Sequence, residues 1–118
     1  MKLIGSKLEN HIKEALINSK QRLFSSSNDK LLLKTLSKIK PNLKTAYILY
    51  HLIEQGEDIF TIITDDKSII EIEISRVDSS VEPICEIINF HQYKKNLRGK
   101  RGNLRLIIAL YLINEDLK

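Results

Sequence analysis

The chain has 118 residues, of which 42% are hydrophobic, 29% charged and 6% aromatic. That composition excludes a disordered or fibrous class, and a chain of this size buries roughly two-thirds of its unfolded surface, enough for one core without disulfide, metal or cofactor. One domain over residues 1–118 is expected, and Cys85, the single cysteine, has no partner for an internal disulfide.

The formal net charge of +4 conceals a segregation along the chain. Residues 1–50 hold ten basic and three acidic side chains, residues 51–90 two and ten, and residues 91–118 seven and two. An acidic middle between basic ends tends to build contiguous surfaces of one sign, which select partners and steer their approach. The opening Met1-Lys2-Leu3-Ile4-Gly5-Ser6-Lys7 lacks the apolar stretch of a secretory signal. The longest apolar run, Leu106 to Ile113, is far shorter than the roughly 20 residues of a membrane-spanning helix. A reduced, cytoplasmic protein with no membrane partner is expected.

From Ser6 to about Phe24, Leu8, Ile12, Ala15, Leu16 and Leu23 recur at helical steps with charges between them, and Ser6 with Glu9 makes a capping box. Ser25 to Asp29 breaks the period. A second helix is expected from Asn28, turning Leu31, Leu32 and Leu36 inward before Pro41. The period then shortens. Thr45 to Ile53 is rich in β-branched and aromatic residues, Gln55-Gly56-Glu57 makes a turn, and Asp58 to Thr64 forms the next strand. After Asp65-Asp66-Lys67, Ser68 to Arg76 alternates Ile70, Ile72 and Ile74 with Glu71, Glu73 and Ser75, as in a sheet with one buried face and one wet, negative face. Pro83 to Ile88 supplies a short fourth strand whose proline suits an edge. Asn89 caps a helical turn through Tyr93, a basic, glycine-broken loop runs from Lys94 to Gly102, and a final helix starts at Asn103. That helix is apolar around most of its circumference, so it is expected well inside the fold or against another chain. The fold class is α+β: two N-terminal helices, a four-stranded, mainly antiparallel sheet and a C-terminal helix.

No complete catalytic set, metal-ligand set or cofactor motif is present, and the chain is not expected to be an enzyme. His11–Glu14 and His51–Glu54 have the spacing of di-metal carboxylate sites, but such pairs work on facing helices, and His51 falls on a strand where i and i+3 point apart. Cys85 lies in an apolar strand with no neighbouring cation to lower its pKa, which predicts a buried, inert thiol. Two charged groups remain as candidate sites. The acidic one comprises Glu54, Glu57, Asp58, Asp65, Asp66, Glu71 and Glu73, with Tyr50 and Phe60 as apolar anchors. The basic one comprises Lys94, Lys95, Arg98, Lys100, Arg101 and Arg105, whose two interleaved glycines would let backbone amides approach a phosphate.

The stretches Leu3-Ile4-Gly5-Ser6-Lys7-Leu8-Glu9, Lys44-Thr45-Ala46-Tyr47-Ile48-Leu49, Glu54-Gln55-Gly56-Glu57-Asp58 and Ile69-Ile70-Glu71-Ile72-Glu73 belong to a small α+β domain with an acidic central sheet and no catalytic set. In this the chain resembles the immunity proteins of bacterial contact-dependent growth inhibition and related polymorphic toxin systems. The resemblance implies a cognate toxin domain as partner, bound tightly in the producing cell with its active site or substrate path blocked. The charge pattern then suggests a nuclease toxin whose basic, phosphate-binding surface meets the acidic segment. The alternative expectation is a small nucleic-acid-binding or regulatory module that uses the basic 94–105 loop. The fourth strand's edge and the apolar last helix also permit a homodimer.

Overall fold

A computed structural model describes residues 6–25 and 30–118. The element order is α1 (Lys7–Ser25), α2 (Lys30–Ile39), β1 (Ala46–Glu54), β2 (Glu57–Thr64), β3 (Ile69–Ser75), β4 (Ile84–Ile88), α3 (Phe90–Asn96) and α4 (Gly99–Asp116). The predicted turn and cap at Ser26 to Asp29, and Leu3 to Gly5 of the first resemblance stretch, lie outside the described residues.

The four strands form one antiparallel meander in the order β1-β2-β3-β4. Local chemistry sets its turns. Glu54 pairs with Glu57 across a two-residue loop in which Gln55 and Gly56 both have positive φ (40° and 81°), as a type I′ hairpin requires. At the β2–β3 turn the Asp66 carboxylate accepts from the Ser68 N–H (3.2 Å) and from the Thr64 hydroxyl, closing an Asx-type loop. At the head of α1 the Ser6 hydroxyl accepts from the Glu9 N–H at 3.2 Å, the forward bond of the capping box.

A shift of register in β1 between Ile48 and Tyr50 leaves Leu49 without a partner on β2. Such a bulge bends the strand and resets which residues face which way. Its outer edge is bonded by helices: the Ile48 N–H donates to Ser19 Oγ of α1 (3.0 Å), and Arg105 Nη1 of α4 donates to the Leu49 carbonyl (3.3 Å).

The sheet has a core on each face, which corrects the expectation of a single buried side. Tyr47, Ile63 and Ile69 lie in register on one face, packed with Ile12 and Leu16 of α1 and with Leu104, Ile108 and Leu112 of α4. Ile48, Ile62 and Ile70 lie in register on the other, packed with Phe60, Ile72, Leu23 of α1 and Leu32 and Leu36 of α2. The alternation in β3 begins only at Ile70, so the buried Ile69 one residue earlier escapes it. On the α4 side the cover stops after the Tyr47–Ile63–Ile69 row, and the wet face of β3 starts at Glu71.

Other departures have equally local causes. Leu31 and Ala15, expected inside, are exposed, because the stripe that meets the sheet runs through Leu32 and Leu36 on α2 and through Ile12, Leu16 and Leu23 on α1. Cys85, expected buried, is exposed, because β4 is an edge strand that no helix covers at that point. The basic loop is helical from Gly99, four positions before Asn103, and α3 runs on to Asn96. Gly102 is a contact position: a Cβ there would meet the Tyr50 hydroxyl at 3.2 Å. Helix α4 lies largely inside, with Leu104, Leu106, Ile108, Ala109, Leu112 and Ile113 buried. Its C-terminal Asp116 ties three elements together, accepting from Thr45 Oγ1 at 2.6 Å, from the Tyr47 hydroxyl and from Lys20 Nζ at 3.0 Å.

Candidate functional site

The seven acidic side chains singled out from the sequence divide among four places. Asp65 and Asp66 occupy the β2–β3 turn. There Asp65 Oδ1 accepts the Lys44 N–H at 3.1 Å, and Asp66 pairs with Lys40 at 2.7 Å. Burial pushes the Asp66 carboxyl up, but donors from Lys40, Thr64 and Ser68 outweigh it and hold the group well below the usual carboxylate range. Glu54 and Glu57 face each other at the opposite end of the sheet, roughly 25 Å away along the eight-residue β2 at about 3.4 Å per residue. Asp58 lies on the α2 side, bonded to His51 Nε2 at 2.8 Å and 3.5 Å from Arg76 Nε. Asp58 and Asp66 are therefore satisfied within the chain. Phe60 is 3% exposed and stacks on His51 at 4.3 Å, so it belongs to the core and cannot anchor a partner.

Glu71 and Glu73 remain, and the fold joins them to a residue outside the predicted set. Strand register places Tyr50, Thr61, Glu71 and Glu86 in one row, followed on the same face by the row Leu52, Ile59, Glu73 and Ile84. Glu54 and Glu57 continue this face at its far end. Among the described residues, none of Glu71, Glu73 and Glu86 forms an ion pair. Burial pushes the Glu71 carboxyl up, and the negative charges of Glu86 and then Glu73 push it further. Apolar side chains flank the acids on the same face: Tyr50 and Leu52 on β1 and Ile84 on β4 are 39%, 50% and 61% exposed. Exposed apolar side chains beside unpaired charge are the composition of a protein-docking surface. Glu86 and Ile84 were missed because the five-residue strand Ile-Cys-Glu-Ile-Ile has no apolar/polar period; the one signal was the lone charge of Glu86 within an otherwise apolar strand.

Tyr50 closes this face at its border with the helices. The Arg105 guanidinium lies 4.5 Å from its ring centroid, and the hydroxyl approaches Gly102. Tyr93 of α3 belongs to the same seam: burial pushes its phenol up to about 12, with Tyr50 adding to the rise and Arg105 opposing it. Arg105 thus turns inward, away from the other cations predicted to act with it. Those five form an exposed corner, with Lys94 and Lys95 in the last turn of α3, Arg98 as the N-cap of α4, and Lys100 and Arg101 in its first turn. Among the described residues none of the five forms an ion pair, and the first turn of α4 has no acidic residue. Cations at a helix N-terminus oppose the helix dipole, so this arrangement costs the isolated chain stability.

The remaining candidates are dispersed. His51 is engaged with Asp58 and with Arg22 Nη1 (3.4 Å) instead of Glu54. Among the described residues no three His, Cys, Asp or Glu side chains are placed to hold a metal ion. A cleft of about 380 Å³ between α2 and the β3–β4 connection is lined by Leu31, Lys34, Lys38, Val81 and Cys85, on the opposite side of the sheet from Glu71. Burial pushes the Cys85 thiol up, away from the thiolate form. No described helix is long and apolar enough to cross a membrane. Comparisons with protein-family models, curated proteins and solved structures yield no match.

Proposed function

We propose that this chain is an immunity protein that neutralises a cognate toxin domain, a nuclease, by covering its active site or substrate path with the open face of the sheet. The observation that supports the reading is the Glu71–Glu73–Glu86 cluster, without an ion pair among the described residues and flanked by the exposed Tyr50, Leu52 and Ile84. A nuclease must present positive charge to phosphates, and a carboxylate array on a rigid sheet meets that charge without reorganising. The acids would speed and orient encounter, while the apolar side chains, desolvated on contact, would supply most of the affinity. This acidic face is smaller than the sequence suggested, and Asp58, Phe60, Asp65 and Asp66 are not part of it.

The test is co-expression with a nuclease toxin domain, sought in the reading frames beside this one. The wild-type chain is expected to restore growth and to co-purify with the toxin, and Glu71→Lys combined with Glu86→Lys to lose both while remaining folded. Full protection by that variant would sink the reading.

The exposed corner of Lys94, Lys95, Arg98, Lys100 and Arg101 favours a second reading, contact with nucleic acid. If that corner is the working surface, neutralising Arg98, Lys100 and Arg101 weakens binding to generic duplex DNA or RNA and flattens its salt dependence. A toxin neutraliser is indifferent to nucleic acid in the same assay.

A further inference from the structure

The two charged surfaces share a border. Tyr50 stands in register with Glu71 and Glu86, its ring lies under Arg105, and its hydroxyl touches the helix turn that carries Lys100 and Arg101. One molecule therefore presents a negative patch and a positive patch, neither with an ion pair among the described residues, on either side of a single aromatic seam. Each patch costs the isolated chain: Glu71 opposes Glu86 across the ladder, and Lys100 and Arg101 oppose the dipole of α4.

A two-fold rotation about an axis through such a seam lays acid on base twice, because an isologous contact repeats every pairing in reverse. We propose that the occupant of this surface in the absence of another partner is a second copy of the chain, docked so that Glu71 and Glu86 of each copy meet Arg98, Lys100 and Arg101 of the other. The exposed Tyr50 and Leu52 lie at the centre of the contact. Dimerisation covers the acidic face, so any protein that uses this face must displace the second copy. The inference does not rest on the toxin reading, since it follows from the two patches alone.

The test is sedimentation velocity of the full chain between about 10 and 200 μM. At 50 mM salt the wild type is expected to dimerise, with the dissociation constant rising at least tenfold by 300 mM salt as screening weakens the charge pairs. The acid-reversed variant Glu71→Lys/Glu86→Lys and the base-reversed variant Arg98→Glu/Arg101→Glu are each expected to be monomeric. Mixed one to one, they are expected to pair, because the reversed acids of one meet the reversed bases of the other. Circular dichroism confirms that each variant is folded before mixing. A monomeric wild type at 200 μM and 50 mM salt overturns the proposal, as does a dimer that either reversal leaves intact, or two folded, monomeric variants that fail to pair.

Discussion

Glu71 and Glu86 are directly opposed on neighbouring strands, and among the described residues no cation is paired to either. Like charges across an antiparallel pair are destabilising by about 0.2–1 kcal/mol, so Glu86→Gln is expected to stabilise the isolated chain by that amount in urea denaturation at pH 7. The pH dependence follows from Glu71. Its folded pKa lies above the unfolded value, so it costs stability when ionised, and the cost fades as pH falls through the folded value. The advantage of Glu86→Gln should therefore shrink towards zero by about pH 3, below the ordinary carboxylate pKa near 4.3. An advantage unchanged by acid would mean that the charges are not what opposes folding.

Asp116 behaves in the opposite sense. Burial pushes its carboxyl up, but donors from Thr45, Tyr47 and Lys20 outweigh that and hold it below the usual carboxylate range. A depressed folded pKa contributes stability that is present above the unfolded value and is lost as pH falls through the folded one. Asp116→Asn is expected to cost about 1–3 kcal/mol at pH 7, as the loss of hydrogen bonds to a charged acceptor does. The gap between wild type and variant in urea denaturation should narrow on acidification below the ordinary carboxylate range, as the depressed group takes up its proton.

Phe60 and Leu52 separate packing from docking. Phe60 is buried against His51 and the α2 core, so Phe60→Ala is expected to cost about 3–5 kcal/mol by opening a cavity. Leu52 and Ile84 are half or more exposed, so Leu52→Ser and Ile84→Ser are expected to change stability by less than about 1 kcal/mol. Under the proposed function these two serine variants lose toxin binding while keeping the wild-type melting curve. Calorimetry on the three proteins, followed by a pull-down, decides it.

How far the fold could be read from the residues depends on how many positions carried each signal. Ile70 to Ser75 alternates long enough to reveal both the strand and its wet face, and Ser6 with Glu9 marks a helix start by a bond that forms locally. Signals that depend on neighbours in space were not legible. Nothing local says that β1 bulges at Leu49, that Gly102 is a glycine because Tyr50 packs on it, or that Phe60 faces α2 while Glu71 faces water. The acidic segment was visible as composition, but its division among two turns and two faces of the sheet follows from register. Internal pairing of Asp58 with His51 and of Asp66 with Lys40 removes members that sequence proximity had grouped together.

The β1–β2 hairpin gives a last prediction, because its two loop residues fit their conformation unequally. Gly56 has φ of 81° and a Cβ there would meet Val77 Cγ1 at 3.2 Å, so Gly56→Ala is expected to cost about 1–2 kcal/mol in left-handed strain alone. Gln55 also has a positive φ, of 40°, where asparagine is the favoured residue of an Asn-Gly type I′ turn. Gln55→Asn is therefore expected to stabilise the chain by a few tenths of a kcal/mol, and thermal unfolding of the two single variants and the double variant reads both signs. Gln55→Asn combined with Gly56→Ala should remain less stable than wild type, since asparagine at the first loop position does nothing for the alanine at the second. A double variant as stable as wild type would mean that the loop has left the I′ geometry and taken another turn.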